Sequence, residues 1–250
     1  MPGGGRSSTC EGSLRDLDRA RVLALALLLV TPACSPPDAI YDLGGGDAGS
    51  GGASTCGATG FADLADDFDD DMTGPLWSVY ADNDAVVAEK NQHLEISVPN
   101  GGFGVGAYHS IGGSRSLRGC QLSMEVVKPA SMDEGIQTFL ILRDTKDPLD
   151  TDLDITQSGT RIILRVREKG VDMDPDLIDY DPVQHRFWRI REANGTVSFE
   201  TAPAGGPWTV RHSAPTPEFV DRLQVNIGIA VHTGTTTGAL AILDNVDKGP

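Results

Sequence analysis

From about Gly57 onward, apolar and polar residues alternate in short runs that are broken by turn residues. Leu94, Ile96 and Val98 alternate with Glu95 and Ser97, and Leu122, Met124 and Val126 alternate with Ser123 and Glu125. Ile162, Leu164 and Val166 alternate with Ile163, Arg165 and Arg167. Trp188 and Ile190 alternate with Arg189 and Arg191, and Val197 and Phe199 with Ser198 and Glu200. Leu223, Val225, Ile227 and Ile229 form a longer run, and Leu240 with Ile242 a last one. Successive strand side chains point to opposite faces, so this period of two predicts sheets with one covered face and one wet face. Asn194-Gly195 lies between two runs and predicts a two-residue type I′ hairpin, a turn that both residues tolerate. That turn also accounts for the sequon at Asn194. No amphipathic helical period appears, and Pro217 to Val220 amounts to one short turn. About a dozen strands over roughly 190 residues, without intervening helices, predict an all-β antiparallel two-sheet sandwich or jelly roll. A chain of that length buries about 70% of its unfolded surface and needs no metal to fold.

The amino-terminal part follows another logic. Arg15, Arg19 and Arg21 precede the apolar run Val22 to Val30, and Thr31-Pro-Ala33-Cys34 follows it. A basic segment, a short apolar segment and small residues in that order predict a signal peptide over residues 1–33. The apolar run is far shorter than the roughly 20 residues a membrane-spanning helix needs. The segment also resembles a bacterial lipoprotein signal, which implies cleavage before Cys34 and acylation of that residue. Ala33 fits the resemblance, whereas Thr31 and Pro32 depart from its usual pattern, and ordinary cleavage after Ala33 is the competing reading. Residues 34–56 are dominated by Gly, Ser, Asp and Ala, with too little apolar surface to offset ordering entropy, and so predict a flexible tether. Random-coil scaling gives it a reach of roughly 25 Å. The folded domain is then residues 57–250, held at the cell envelope outside the cytoplasm through the bilayer partner of Cys34.

Cysteine use agrees with export. Cys10 leaves with the leader and Cys34 is the lipid site, so Cys56 and Cys120 remain as one pair for an oxidising compartment. A bridge between them clips the start of the domain to its body; two unpaired thiols are the alternative. The formal charge is −16, which repels phosphate backbones and argues against nucleic-acid partners. The His residues at 93, 109, 185, 212 and 232 form no metal-ligand spacing, and no phosphate loop or nucleophile elbow is present.

Several local sequences together resemble a known class. Asp67-Phe-Asp69 and Gly74-Pro-Leu-Trp77 open the domain, His185-Arg-Phe-Trp-Arg-Ile-Arg191 and Gly195-Thr-Val-Ser-Phe-Glu-Thr201 lie in its middle, and Gly206-Pro-Trp208 follows. The chain closes with Val225-Asn-Ile-Gly-Ile-Ala-Val231 and Ala241-Ile-Leu-Asp-Asn-Val246. This succession resembles the concanavalin A-like lectin/glucanase (laminin-G-like) sandwiches of bacterial surface proteins. The resemblance implies a jelly roll whose first and last strands pair and whose concave face takes carbohydrate.

The hydrolases of that class carry Glu-x-Asp-x-Glu on one strand face, because glycoside hydrolysis needs two flanking carboxyl groups. The nearest run is Asp150-Thr-Asp152-Leu-Asp154, just past Pro148, which reads as an acidic loop and argues against an enzyme. Asp150, Asp152 and Asp154 also supply hard oxygen ligands, so calcium is the one cofactor the sequence leaves room for. Asp172, Asp174, Asp176, Asp179 and Asp181, and the run Asp66 to Asp71, read as solvated loops.

Arg161, Arg165 and Arg167 share one strand face, and Phe187, Arg189 and Arg191 share another, with Ser198 and Glu200 beside them if the hairpin keeps simple register. Arg143 and Glu125 fall on outward positions. Arg165, Phe187, Arg189, Arg191 and Glu200 thus form a candidate strip for a sugar or uronate, since guanidiniums grip carboxylates and an aromatic ring stacks on a pyranose. A cross-strand Arg–Glu ladder that keeps a wet sheet soluble is the competing reading. The expected function is that of a non-catalytic, membrane-anchored lectin-like module with a glycan ligand. A glycoside hydrolase of the same fold and a purely structural lipoprotein are the alternatives.

Overall fold

A computed structural model describes Cys56, residues 60–232 and residues 238–249. The predicted leader, the lipid site at Cys34 and all but the last residue of the predicted tether lie outside the described residues. The strands are β1 (Trp77–Ala81), β2 (Val86–Lys90), β3 (His93–Val98), β4 (Gly104–Ser110), β5 (Gln121–Lys128), β6 (Ile136–Asp144) and β7 (Asp152–Ser158). They continue as β8 (Arg161–Glu168), β9 (Val171–Asp179), β10 (Phe187–Ala193), β11 (Thr196–Ala202), β12 (Thr209–Pro215), β13 (Leu223–Val231) and β14 (Ala239–Asp244). The helical segments among the described residues are two single 3-10 turns, Ala62–Leu64 and Glu218–Asp221. No helix among them is long and apolar enough to cross a membrane.

The strands form two seven-stranded antiparallel sheets. Sheet I has the order β1-β4-β13-β6-β7-β8-β9, and sheet II the order β12-β11-β10-β5-β14-β3-β2. One core lies between them. Sheet I contributes Tyr108, Leu140, Leu142, Leu153, Ile155, Ile162, Leu164, Val225, Ile227 and Ile229. Sheet II contributes Leu94, Ile96, Leu122, Met124, Trp188, Ile190, Val197, Phe199, Ala241 and Leu243, and all of these are essentially inaccessible to water. Each such aliphatic side chain contributes about 1.5–3 kcal/mol of transfer free energy, so the alternation read from sequence is what holds the layers together. The Trp188 indole N–H is also satisfied, donating to the His185 carbonyl at 3.0 Å.

The hairpin at Asn194-Gly195 forms as predicted. Ala193 pairs with Thr196, and the two turn residues have φ of 53° and 79°. Arg189 therefore faces Glu200, and Arg191 faces Ser198. The Cys56–Cys120 disulfide is present, with an S–S distance of 2.02 Å.

Four sequence expectations are corrected. The first and last strands do not pair: β1 pairs with β4, and β14 with β3 and β5, in different sheets. It is Asp66, ahead of β1, that bridges Val246, just past β14. In β14 the inward residues are Ala239, Ala241 and Leu243 rather than Leu240 and Ile242, a one-residue shift in which small Ala side chains face the core. The acidic stretch around Asp174 is no loop but edge strand β9, although nearly all of it is exposed. Asp150-Thr-Asp152-Leu-Asp154 is likewise no loop beyond its first two residues, because β7 starts at Asp152.

Candidate functional site

The outer face of sheet I carries a set of polar side chains in two adjacent cross-strand rows. Register places Gln224, Arg143, Asp152, Arg167 and Asp172 side by side across β13, β6, β7, β8 and β9. The next row runs Ser78, His109, Asn226, Ile141, Asp154 and Arg165 across β1, β4, β13, β6, β7 and β8. Directly opposed residues on one sheet face lie within side-chain reach, so the pairing alone brings these groups together. Ile141 of that row joins Ala107, Phe139 and Ala230 in a small apolar cluster separate from the main core. Gly228 is needed where β13 runs close against β4, since a Cβ there would come within 2.2 Å of the Gly106 carbonyl oxygen.

Although this face points away from the core, Asp152 is 4% exposed and Asp154 is fully buried. Asp154 accepts a 2.5 Å hydrogen bond from the Thr156 hydroxyl, and its Oδ2 lies 2.6 Å from Arg165 Nη2. Arg165 also approaches Asp172 at 3.6 Å, and Arg167 reaches Asp172 at 3.0 Å and Asp152 at 4.0 Å. Burial pushes the Asp152 carboxyl up to about 6, and the charge of Asp154 acts in the same direction. The guanidiniums of Arg167, Arg165 and Arg143 oppose that rise. Asp154 is also raised by burial, with Arg165 as the main counterweight. The His109 imidazole is pushed below its usual range by burial and by the Arg143 charge, against its contact with Asn226. It stacks edge-on against Tyr80, with ring centroids 5.5 Å apart.

Asp152, Asp154 and Thr156 occupy alternate positions on one face of β7, the spacing that Glu-x-Asp-x-Glu requires. The first carboxylate is one methylene shorter, the second is tied to Arg165 and Thr156, and the third position holds a hydroxyl. The two ends of the motif are about 13 Å of strand apart, so no other β7 residue substitutes for the missing group. β7 therefore carries two carboxyl groups, Asp152 and Asp154, and lacks the one at the far end of that motif. Nor does the geometry gather Asp150, Asp152 and Asp154 around a cation. Asp150 is exposed before β7, and Arg165 and Arg167 are the partners of the other two. Among the described residues, no group of three or more His, Cys, Asp or Glu is placed to hold a metal.

The single arginine strip expected from sequence is divided. Arg165 lies on the outer face of sheet I, whereas Phe187, Arg189, Arg191 and Glu200 lie on the outer face of sheet II. Identical alternation in β8 and β10 gave no sign that the two strands belong to different layers. On sheet II, Arg189 Nε donates to Glu200 at 2.5 Å, and Arg191 approaches the same carboxylate at 3.4 Å. The Arg189 guanidinium also lies 4.1 Å above the Trp208 ring, whose edge meets Phe187. Glu200 is only 2% exposed, so these contacts form the cross-strand ladder that was the competing reading. His109, Asn226 and Tyr80 escaped sequence reasoning, because a lone His and an Asn carry no motif; only strand pairing assembles them.

The architecture is a concanavalin A-like two-sheet sandwich, the fold of the glucanases. No family model matches the sequence, and no curated protein matches it. Among solved structures, a prokaryotic β-1,3-1,4-glucanase (lichenase) from a mouse hindgut metagenome has 13% identity and a TM-score of 0.53, over 73% of this chain and 96% of that one. A Mycobacterium tuberculosis immunostimulatory antigen and pseudo β-1,3-glucanase has 14% identity and a TM-score of 0.53, over 72% and 97%. The GH16 protein of a Bacteroides ovatus mixed-linkage glucan PUL, in complex with a G4G4G3G product, has 10% identity and a TM-score of 0.54, over 73% and 98%. At such identities the likeness is one of fold.

Proposed function

We propose that this chain is an exported, lipid-anchored module that binds glycan on the outer face of sheet I and does not hydrolyse it. One observation carries the reading: β7 presents Asp152, Asp154 and Thr156 where a hydrolytic strand needs three carboxylates, and Asp154 is committed to Arg165. Solved structures of similar fold include a pseudo β-1,3-glucanase and a GH16 protein holding a glycan product, and these support the two halves of the reading. Anchorage rests on the leader-like residues 1–33 and on Cys34.

Two experiments test it. Purified protein is presented to a polysaccharide panel with and without calcium, and both retention and release of reducing ends are measured. Retention without release is expected. Release that Asp152→Asn abolishes would establish the hydrolase reading, which the Asp152 value of about 6 favours, because a general acid needs a raised carboxyl. Silence across the panel would leave a structural lipoprotein. Mass spectrometry of the mature amino terminus should find acylated Cys34; an intact leader would refute export.

A further inference from the structure

We infer that the site on sheet I selects an anionic sugar, with Arg143 receiving an oxyanion carried by the pyranose, either a uronate carboxylate or a sulfate ester. This rests on the glycan-binding reading above and adds the ligand's charge to it.

Arg143 differs from its neighbours on this face. Arg165 and Arg167 each have a carboxylate partner within 3.0 Å, whereas Arg143 has no hydrogen bond or ion pair among the described residues. Yet it is not a freely solvated surface arginine. It is half-buried and stands between Gln224 and Asp152 in its row, and it interacts electrostatically with Asp152, Asp154, Arg167 and Tyr80. Burial disfavours its charge, but a guanidinium stays protonated in proteins. A partly desolvated cation with five donors and no acceptor is an incomplete arrangement, and an oxyanion with two neighbouring acceptor oxygens completes it through paired N–H donors.

Two further polar atoms without partners belong to residues coupled electrostatically to Arg143. Asp152 Oδ1 is buried without a hydrogen-bond partner, although the residue is 4% exposed. His109 Nε2 is also buried and unpartnered, while its other ring nitrogen contacts Asn226. Buried polar atoms without partners are rare and mark places where a ligand or water completes the network. Here the unfilled groups comprise a cationic fork, a carboxylate acceptor and an imidazole nitrogen. An acidic pyranose supplies the matching set, with an oxyanion for Arg143 and hydroxyl groups for Asp152 and His109. A neutral hexose fills the last two and leaves the guanidinium unmatched.

The overall charge of −16 sharpens the inference, since such a chain repels a polyanion at long range. Selective retention of an acidic polymer therefore has to come from a local cationic site. Binding of the purified full chain to polygalacturonate, dextran sulfate and neutral mixed-linkage β-glucan is compared by isothermal titration and affinity electrophoresis. One anionic polymer should bind at least about tenfold more tightly than the neutral glucan, and which one it is identifies carboxylate or sulfate as the source. Arg143→Gln should lower that affinity about tenfold or more with the melting temperature unchanged, and Arg143→Lys should restore only part of it. Equal or tighter binding of the neutral glucan, with Arg143→Gln without effect, overturns the inference and leaves the glycan-binding reading standing. Failure of all three polymers, and of the wider panel, overturns both.

Discussion

Removing Arg165 should destabilise the protein in a way that grows with pH, and the size of the effect follows from its surroundings. Asp154 is fully buried, and its ion-pair partner is Arg165 at 2.6 Å, with the Thr156 hydroxyl as its hydrogen-bond donor. Arg165→Leu preserves much of the packing volume but leaves the carboxylate without a countercharge. Breaking one side of a buried pair costs about 3–5 kcal/mol. The carboxyl is already raised above its ordinary value by burial, and Arg165 is the main influence holding it down, so the variant raises it further. A group whose folded value exceeds its unfolded value stabilises at low pH, and that contribution disappears as pH rises through the folded value. At pH 4 the carboxyl, raised in the folded protein and raised further in the variant, carries less charge than at pH 8, and the loss should be smaller, about 1 kcal/mol, mostly from packing and hydrogen bonding. At pH 8 it should approach about 4 kcal/mol. Urea denaturation at several pH values measures this, and adding Asp154→Asn to the variant should flatten the difference. An equal loss at pH 4 and pH 8 would show that Arg165 acts through packing and not through charge.

Other consequences can be measured on the same material. The wild-type protein should lose stability as pH rises from 4 to 7, because Asp152 and Asp247 both titrate near 6 when folded and near 3.8 when unfolded. At about 1.36 kcal/mol per unit, Asp152 contributes on the order of 3 kcal/mol to that slope, and Asp152→Asn should reduce it; an unchanged slope would contradict the assignment. Reduction of Cys56–Cys120 opens a 64-residue separation and should cost about 4 kcal/mol, roughly 10 °C in Tm by calorimetry. Arg189→Ala should lower the stability by about 2–3 kcal/mol, because Glu200 loses its 2.5 Å donor and Trp208 its cation. It should leave glycan affinity unchanged, since it lies on the opposite outer face; loss of binding at constant Tm would move the site to sheet II.

The layers of the sandwich were legible because one-sided burial writes a period of two into a strand. Where that period held, as in β3, β5, β8, β10, β11 and β13, the inward residues were read correctly. It failed where both faces are apolar. In β6, Leu140 and Leu142 face the core while Phe139 and Ile141 line the outer cluster, so alternation disappears. It failed also in β7, where an Asp-rich start after Pro148 imitates a loop and the buried outer face carries carboxylates that sequence reading assigns to solvent. The site was half legible: Arg165 and the Asp152–Asp154 pair could be singled out, but which sheet each strand joins is set by long-range pairing. That pairing brings Arg143 beside Asp152 and separates Arg165 from Arg189.

The charged rows on sheet I are difficult to explain as a stabilising device. Buried ion pairs recover their desolvation cost poorly, and aliphatic replacements of similar volume are often equally or more stabilising. The adjacent positions on the same face show that apolar closure is sterically feasible, since Phe139, Ile141, Ala107 and Ala230 pack there with little exposure. A fold under selection for stability alone could extend that cluster over β7 and β8. It holds instead three guanidiniums and two buried carboxylates, with Asp152 Oδ1 and His109 Nε2 unpaired and Arg143 without a close partner. Sheet II offers the internal contrast. There the buried Glu200 carboxylate is shared by Arg189 and Arg191, and Trp208 covers the face of the Arg189 guanidinium. One outer face is electrostatically closed and the other is left open at defined atoms, and an open, partly desolvated polar face gains free energy only when something with complementary groups occupies it.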